Sequence, residues 1–79
     1  MADIKVILQK IQRGEILKVQ EAEAILKHWG YLYRPGKGSH QNWKHPIKPK
    51  ILTIAVHGKE LPRYITRELK KLMEEQNET

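Results

Sequence analysis

Three stretches of the chain carry apolar residues at helical period, and the segment between the second and third does not. Between Asp3 and Arg13, Ile4, Ile7, Leu8 and Ile11 fall at i, i+3, i+4 and i+7, the spacing of one helix face. Asp3 suits the N-cap and Gly14 the stop. After a linker over 15–19, a second helix is predicted from Gln20 to Trp29. Ala22, Ile25, Leu26 and Trp29 form its apolar side, and Gly30 ends it. A third helix is predicted from Pro62 to Gln76, with Ile65, Leu69, Leu72 and Met73 as its stripe and Pro62 in the first turn. The tail Asn77-Glu78-Thr79 is expected to fray.

The middle segment alternates instead. Tyr31-Leu32-Tyr33-Arg34 has strand composition, Pro35-Gly36-Lys37-Gly38 signals a turn, and His40 to Lys44 reads as the returning strand. Pro46 and Pro49 bracket the next loop. Ile51 to Val56 is the clearest strand, with Leu52, Ile54 and Val56 on one face. Alternation along the second strand puts Trp43 with Gln41 and turns His40, Asn42 and Lys44 to the other side. Trp43 is expected in the core more than against a ligand. If Leu32 is in the core, Tyr31 and Tyr33 both lie on the exposed face. The order helix, helix, three strands, helix gives an α+β fold: a three-stranded antiparallel sheet with helices packed on one face, the other face left to solvent or ligand.

At 79 residues the chain holds one domain, 1–79, with a helical extension and linker over 1–18 and a core over 19–76. The longest apolar run, Ile51 to Val56, is far short of a membrane span. The start, Met1-Ala2-Asp3-Ile4-Lys5, does not have the character of a signal peptide, so a cytoplasmic location is expected. With no cysteine there can be no disulfide, thiolate metal site or cysteine nucleophile.

Charge narrows the reading further. Lys and Arg number 15 against 9 Asp and Glu, a net +6, which points to an anionic partner, nucleic acid first. No Asp or Glu occurs from Ala24 through Lys59, yet that window holds all four histidines, both tryptophans and seven basic residues. Cations interleaved with aromatics suit phosphates and unstacked bases, although a basic sheet surface over an aromatic core would look the same. Paired carboxylates for a two-metal nuclease are missing from the window.

Lys37-Gly38-Ser39-His40 concentrates the candidate chemistry. The glycines permit a tight turn and close approach of a large ligand. Ser39 can donate to a phosphate or cap the turn, Lys37 adds charge, and His40 projects at the sheet edge, where imidazole can take or give a proton near neutral pH. RNA cleavage through the ribose 2′-hydroxyl needs such a base, a cation for the phosphate and an acid for the leaving oxygen. Gly-Ser-His alone is a weak signal. A three-imidazole site of His40, His45 and His57 is the metal alternative, but its spacing matches no helix-borne motif, so no metal or cofactor is expected. His28 is read as favouring the helix dipole. Lys48 and Lys50 are equally a solvated loop or phosphate contacts. Arg63 and Arg67, with Glu60, form surface ion pairs or an anion-binding edge.

Residues 24–31 (Ala-Ile-Leu-Lys-His-Trp-Gly-Tyr), Gly36-Lys37-Gly38-Ser39-His40, Trp43-Lys44-His45-Pro46 and Leu52 to Leu61 together resemble HicA toxins, with Ile65 to Leu72 as the closing helix. The resemblance spans about 20–73. It implies a double-stranded-RNA-binding-domain-like fold with an extra N-terminal helix. It further implies an mRNA interferase of a type II toxin–antitoxin pair, acting on single-stranded RNA and neutralised by a HicB-type antitoxin. His40 takes the catalytic position, with Arg34, Lys37, Gly38, Ser39 and Lys44 at the RNA site. The chain departs from the family pattern at Gln41-Asn42-Trp43 and at Val56, where many members have proline. The alternative is a non-catalytic RNA-binding module of the same fold.

Overall fold

A computed structural model describes residues 3–76; the tail expected to fray, 77–79, lies outside them. Helix α1 spans Ile4–Arg13, α2 Val19–His28 and α3 Arg63–Glu75, and strands β1 (Leu32–Pro35), β2 (His40–Lys44) and β3 (Ile51–Ala55) lie between α2 and α3. The expected α+β architecture is therefore present, each boundary within two residues of the sequence reading. The caps explain why. Asp3 accepts from the Lys5 N–H at 3.0 Å, and Gly14 takes the left-handed conformation (φ 74°) that ends α1. Gly30, at φ 87°, turns the chain out of α2.

The sheet is antiparallel in the order β1-β2-β3. Tyr33 pairs with Trp43, Arg34 with Asn42, Trp43 with Leu52, and His40 with Ala55. This register sorts the side chains. Trp43, Leu52 and Ile54 are buried beneath the helices, whereas Lys44, Thr53, Arg34 and His40 are exposed. Pro35 is tolerated because β1 is an edge strand. The helices supply the rest of one continuous core, including Ile7 and Ile11 of α1, Ile25 and Leu26 of α2, and Ile65 and Leu69 of α3. α1 is thus built into the domain. A 2.6 Å Lys10–Glu21 ion pair ties it to α2, and the Thr66 hydroxyl of α3 donates to the Glu15 carbonyl just beyond it at 2.8 Å.

The first strand corrects one expectation. Leu32 is 56 % exposed while Tyr31 is buried, so the two tyrosines do not share the open face. Tyr31 precedes β1 and sets its ring edge-on to His45 at 5.0 Å. Tyr33 lies on the covered side, 5.4 Å from the Trp43 ring. Tyr-Leu-Tyr is apolar on both faces, so alternation does not choose between them; the register with Trp43 does.

Candidate functional site

The turn between β1 and β2 is closed by backbone bonds: the Gly36 N–H donates to the His40 carbonyl and the His40 N–H to the Lys37 carbonyl, each at 3.1 Å. The Val56 N–H donates to the Ser39 carbonyl at 3.0 Å, fastening the turn to the end of β3. His40 then opens β2. Because β2 is the central strand, His40 stands at a strand end, on the open face, and not at the lateral edge of the sheet. Its Nδ1 lies 2.9 Å from the Lys37 carbonyl oxygen. A carbonyl can only accept, so Nδ1 is the donor; in the neutral ring the lone pair is on Nε2.

The glycines of this turn do different work. Gly38 adopts φ 60°, a conformation costly to any side chain, and an added Cβ would meet nothing within 4 Å. A large ligand can approach there. At Gly36 an added Cβ would lie 2.9 Å from Asn42 Nδ2 and 3.1 Å from His40 Cβ. The close approach at Gly36 is therefore to the protein itself, and hydrogen is what lets His40 and Asn42 sit as they do. Sequence reasoning missed this positioning role, although the Gly-x-Gly spacing was in view.

Arg34 pairs with Asn42, which puts it diagonal to His40 on the same face, about 7–8 Å away along the sheet. Lys44 shares the face but is four residues on, about 13 Å at ~3.3 Å per residue. His40, Lys37, Gly38, Ser39 and Arg34 thus gather at one end, and Lys44 marks the other. Between them the Thr53 hydroxyl donates to Asn42 Oδ1 at 2.8 Å. None of Arg34, Lys37 and Lys44 has a carboxylate within ion-pair distance among the described residues. The opposite face is satisfied internally. Gln41 donates to Glu23 at 3.1 Å and accepts from Trp43 Nε1 at 3.4 Å, a use for the Gln41 that departs from the family pattern.

His45 lies beyond the far end of β2 from His40, so the three imidazoles do not converge. Its Nδ1 accepts from the backbone N–H groups of Ile47 (3.1 Å) and Lys48 (3.3 Å), a structural task for a half-buried ring. His28 sits in the last turn of α2. Among the described residues no group of three or more His, Asp or Glu side chains is placed to hold a metal. Lys48 and Lys50 reach Glu75 and Glu68 of α3 at 3.5 and 3.4 Å, so both are ion-paired. Glu60 and Arg63 form no ion pair among the described residues; the Glu60 backbone bridges to Lys18 instead. No described helix is long and apolar enough to cross a membrane.

Comparison with curated proteins and with solved structures gave no match. The family model described as the HicA toxin of bacterial toxin–antitoxin systems matches residues 19–75, from the first residue of α2 to the last of α3. The matched stretch is the sheet with its two flanking helices, and the Gly-Ser-His turn lies inside it. With most of its length matched, the chain belongs to the HicA toxin family.

Proposed function

We propose that the protein is an mRNA-cleaving endoribonuclease in which His40 is the general acid/base. The observation that carries this reading is the 2.9 Å contact from His40 Nδ1 to the Lys37 carbonyl, which leaves Nε2 free to accept a proton at an exposed strand end. Family membership supports it, since HicA toxins are known as mRNA-cleaving proteins. Nε2 removes the proton of a ribose 2′-hydroxyl, the 2′-oxygen attacks the adjacent phosphorus, and the bond to the 5′-oxygen breaks. The imidazolium or solvent returns a proton to that leaving oxygen. Arg34 and Lys37 lie where cations balance charge building on the phosphate, the Ser39 hydroxyl can donate to it, and Gly38 leaves room for the backbone of the RNA. Lys44, far along the strand, meets a different phosphate of the same strand. The absence of carboxylates from 24–59 favours chemistry that needs no divalent ion.

The reading includes a single-stranded mRNA substrate in the cytoplasm and a HicB-type antitoxin. Leu32 and Ile51 are 56 % and 51 % exposed on either side of Lys44 in the pairing register, and such a patch suits a protein that covers the open face. The test is induced expression of the wild type beside His40→Ala and His40→Gln, scoring growth, mRNA integrity and end groups. Arrest and RNA fragments ending in a 2′,3′-cyclic phosphate are expected from the wild type alone. Both variants should stay within about 0.5 kcal/mol of wild-type stability, as exposed substitutions do. Undiminished cleavage without His40 overturns the assignment. Salt-sensitive RNA binding with no cleavage by the wild type leaves a binding module.

A further inference from the structure

A second cationic site lies on the helical side of the molecule, in a groove between the end of α1 and the first half of α3. Arg13 and Gly14 form one wall, Arg63, Arg67 and Lys70 the other, with Ile11 and Thr66 in the floor. Arg63, Arg67 and Lys70 fall at i, i+4 and i+7, which lines them along one side of α3 for about 10 Å.

The two sides of α3 differ in how their charge is treated. On one side Glu68 pairs with Lys50 and Lys71, and Glu75 with Lys48. On the groove side Arg63, Arg67 and Lys70 pair with no carboxylate among the described residues, and Arg13 has only Glu15, at 3.6 Å between well-exposed groups. Thr66 does not contribute a free hydroxyl, since it donates to the Glu15 carbonyl. Arg63 also stands in the first turn of α3, which has no acidic residue. The helix dipole is positive there, so this arginine raises a potential that an acidic residue would have relieved. Like charges held together without partners disfavour the free protein and favour an anion that bridges them. Guanidinium groups match phosphate oxygens in bidentate geometry.

The topology connects this groove with His40. β3 runs toward the His40 end of the sheet, where Ala55 pairs with His40, and residues 56–62 lead into Arg63. Farther along, Glu68 and Glu75 reach Lys50 and Lys48 at the opposite end of the sheet. α3 therefore starts at the His40 end. We propose that the Arg13–Arg63–Arg67–Lys70 groove binds the phosphate backbone of the RNA as it leaves the His40 turn and passes round that end of the sheet. The proposal rests on the RNA reading above and adds a contact surface to which α1, outside the matched family region, contributes.

The experiment measures RNA affinity against salt concentration in a His40→Ala background, so that the strand stays intact. Arg63→Glu/Arg67→Glu is compared with Lys5→Glu/Lys27→Glu, which changes net charge equally at exposed sites outside the groove. An acidic residue is favourable in the first turn of α3, so Arg63→Glu is not expected to unfold the protein, and circular dichroism checks this. The groove variant should lose about tenfold in affinity or more and flatten the slope of log K against log salt by about 1.4 units, about 0.7 for each of two phosphate contacts on a single strand. The control should keep the wild-type slope. Equal changes in both variants, or none in the groove variant, overturn the proposal. Cleavage by the otherwise wild-type chain is scored in parallel. Active enzyme with an unchanged groove slope rejects the groove alone. RNA binding without cleavage rejects the catalytic reading, and the slopes still decide the groove. If the His40→Ala chain binds no RNA, the groove proposal falls whatever the cleavage result.

Discussion

β2 shows two chemistries one residue apart. Trp43 is 1 % exposed under the helices, its ring against Tyr33 and its indole N–H on Gln41. Lys44 points the other way into solvent, between Leu32 and Ile51 in register, with no carboxylate in ion-pair reach among the described residues. On the covered side several polar side chains are answered from within: Gln41 by Glu23, Lys10 by Glu21, Thr66 by the Glu15 carbonyl. On the open face Thr53 answers Asn42 and the Lys37 carbonyl answers His40 Nδ1, and the charge of Arg34, Lys37 and Lys44 is left over. The difference separates what the fold needs from what a ligand needs. Groups that hold the protein together are paired, and groups that await a partner are not.

The sharpest way to break this contrast is at Trp43 itself. Trp43→Ala should cost about 3–5 kcal/mol, the usual range for a large buried aromatic, and leave Gln41 without its indole donor. Lys44→Ala, one residue on, should change stability by less than about 0.5 kcal/mol while weakening RNA binding. Denaturant titration of both variants measures the pair. Similar losses for the two would mean that the faces are not energetically distinct.

Gly36 tests the boundary between the faces. An alanine there pushes against His40 and Asn42 without touching the core. A displacement of about 1 Å in a reacting group can cost about 100-fold, so Gly36→Ala should lower kcat by roughly that factor with KM and global stability little changed. Full activity would show that the turn yields without moving His40.

The paired side was more legible in the sequence than the open one. Ile7 and Ile11, Ile25 and Leu26, Leu69 and Met73 announce their helix faces by spacing alone, because burial on one side imposes a period on the sequence. Trp43 could be placed with Gln41 by alternation. The site residues were legible as types, a histidine and cations around a glycine turn, but not as an arrangement. Spacing puts His40 and Lys44 on one face about 13 Å apart, but it does not announce the register that sets Arg34 opposite Asn42 and so diagonal to His40. Nothing local to His45 reveals that its Nδ1 caps two backbone N–H groups of the next loop. Lys48 and Lys50 find their glutamates 27 and 18 residues away, pairings that only the fold makes. Leu32 and Tyr31 exchanged places because an all-apolar triplet carries no period.

The smallest effect comes from the Lys10–Glu21 pair and separates the faces by pH. Burial pushes the Glu21 carboxyl up, but its bonds to the Lys10 ammonium and the Lys18 backbone N–H, with the charges of both lysines, outweigh this and hold it below the usual range. The bond to Glu21 holds the Lys10 ammonium above its usual range. A depressed carboxylate stabilises the fold above its unfolded pKa, about 4.3, and the contribution disappears as pH falls through the lower folded value. A raised ammonium acts below about 10.4 and is lost as pH rises through the higher folded value. The pair therefore supports the docking of α1 on α2 between those limits and fails at both ends. Glu21→Gln should be less stable than wild type near neutrality, and the difference should shrink below about pH 4, where wild type loses the same charge. Denaturation midpoints across pH measure it; a constant difference would mean that Glu21 is not held ionised by the fold. RNA cleavage near neutral pH should be unaffected by the substitution, because the pair lies on the paired side of the molecule and the turn that carries His40 does not touch it.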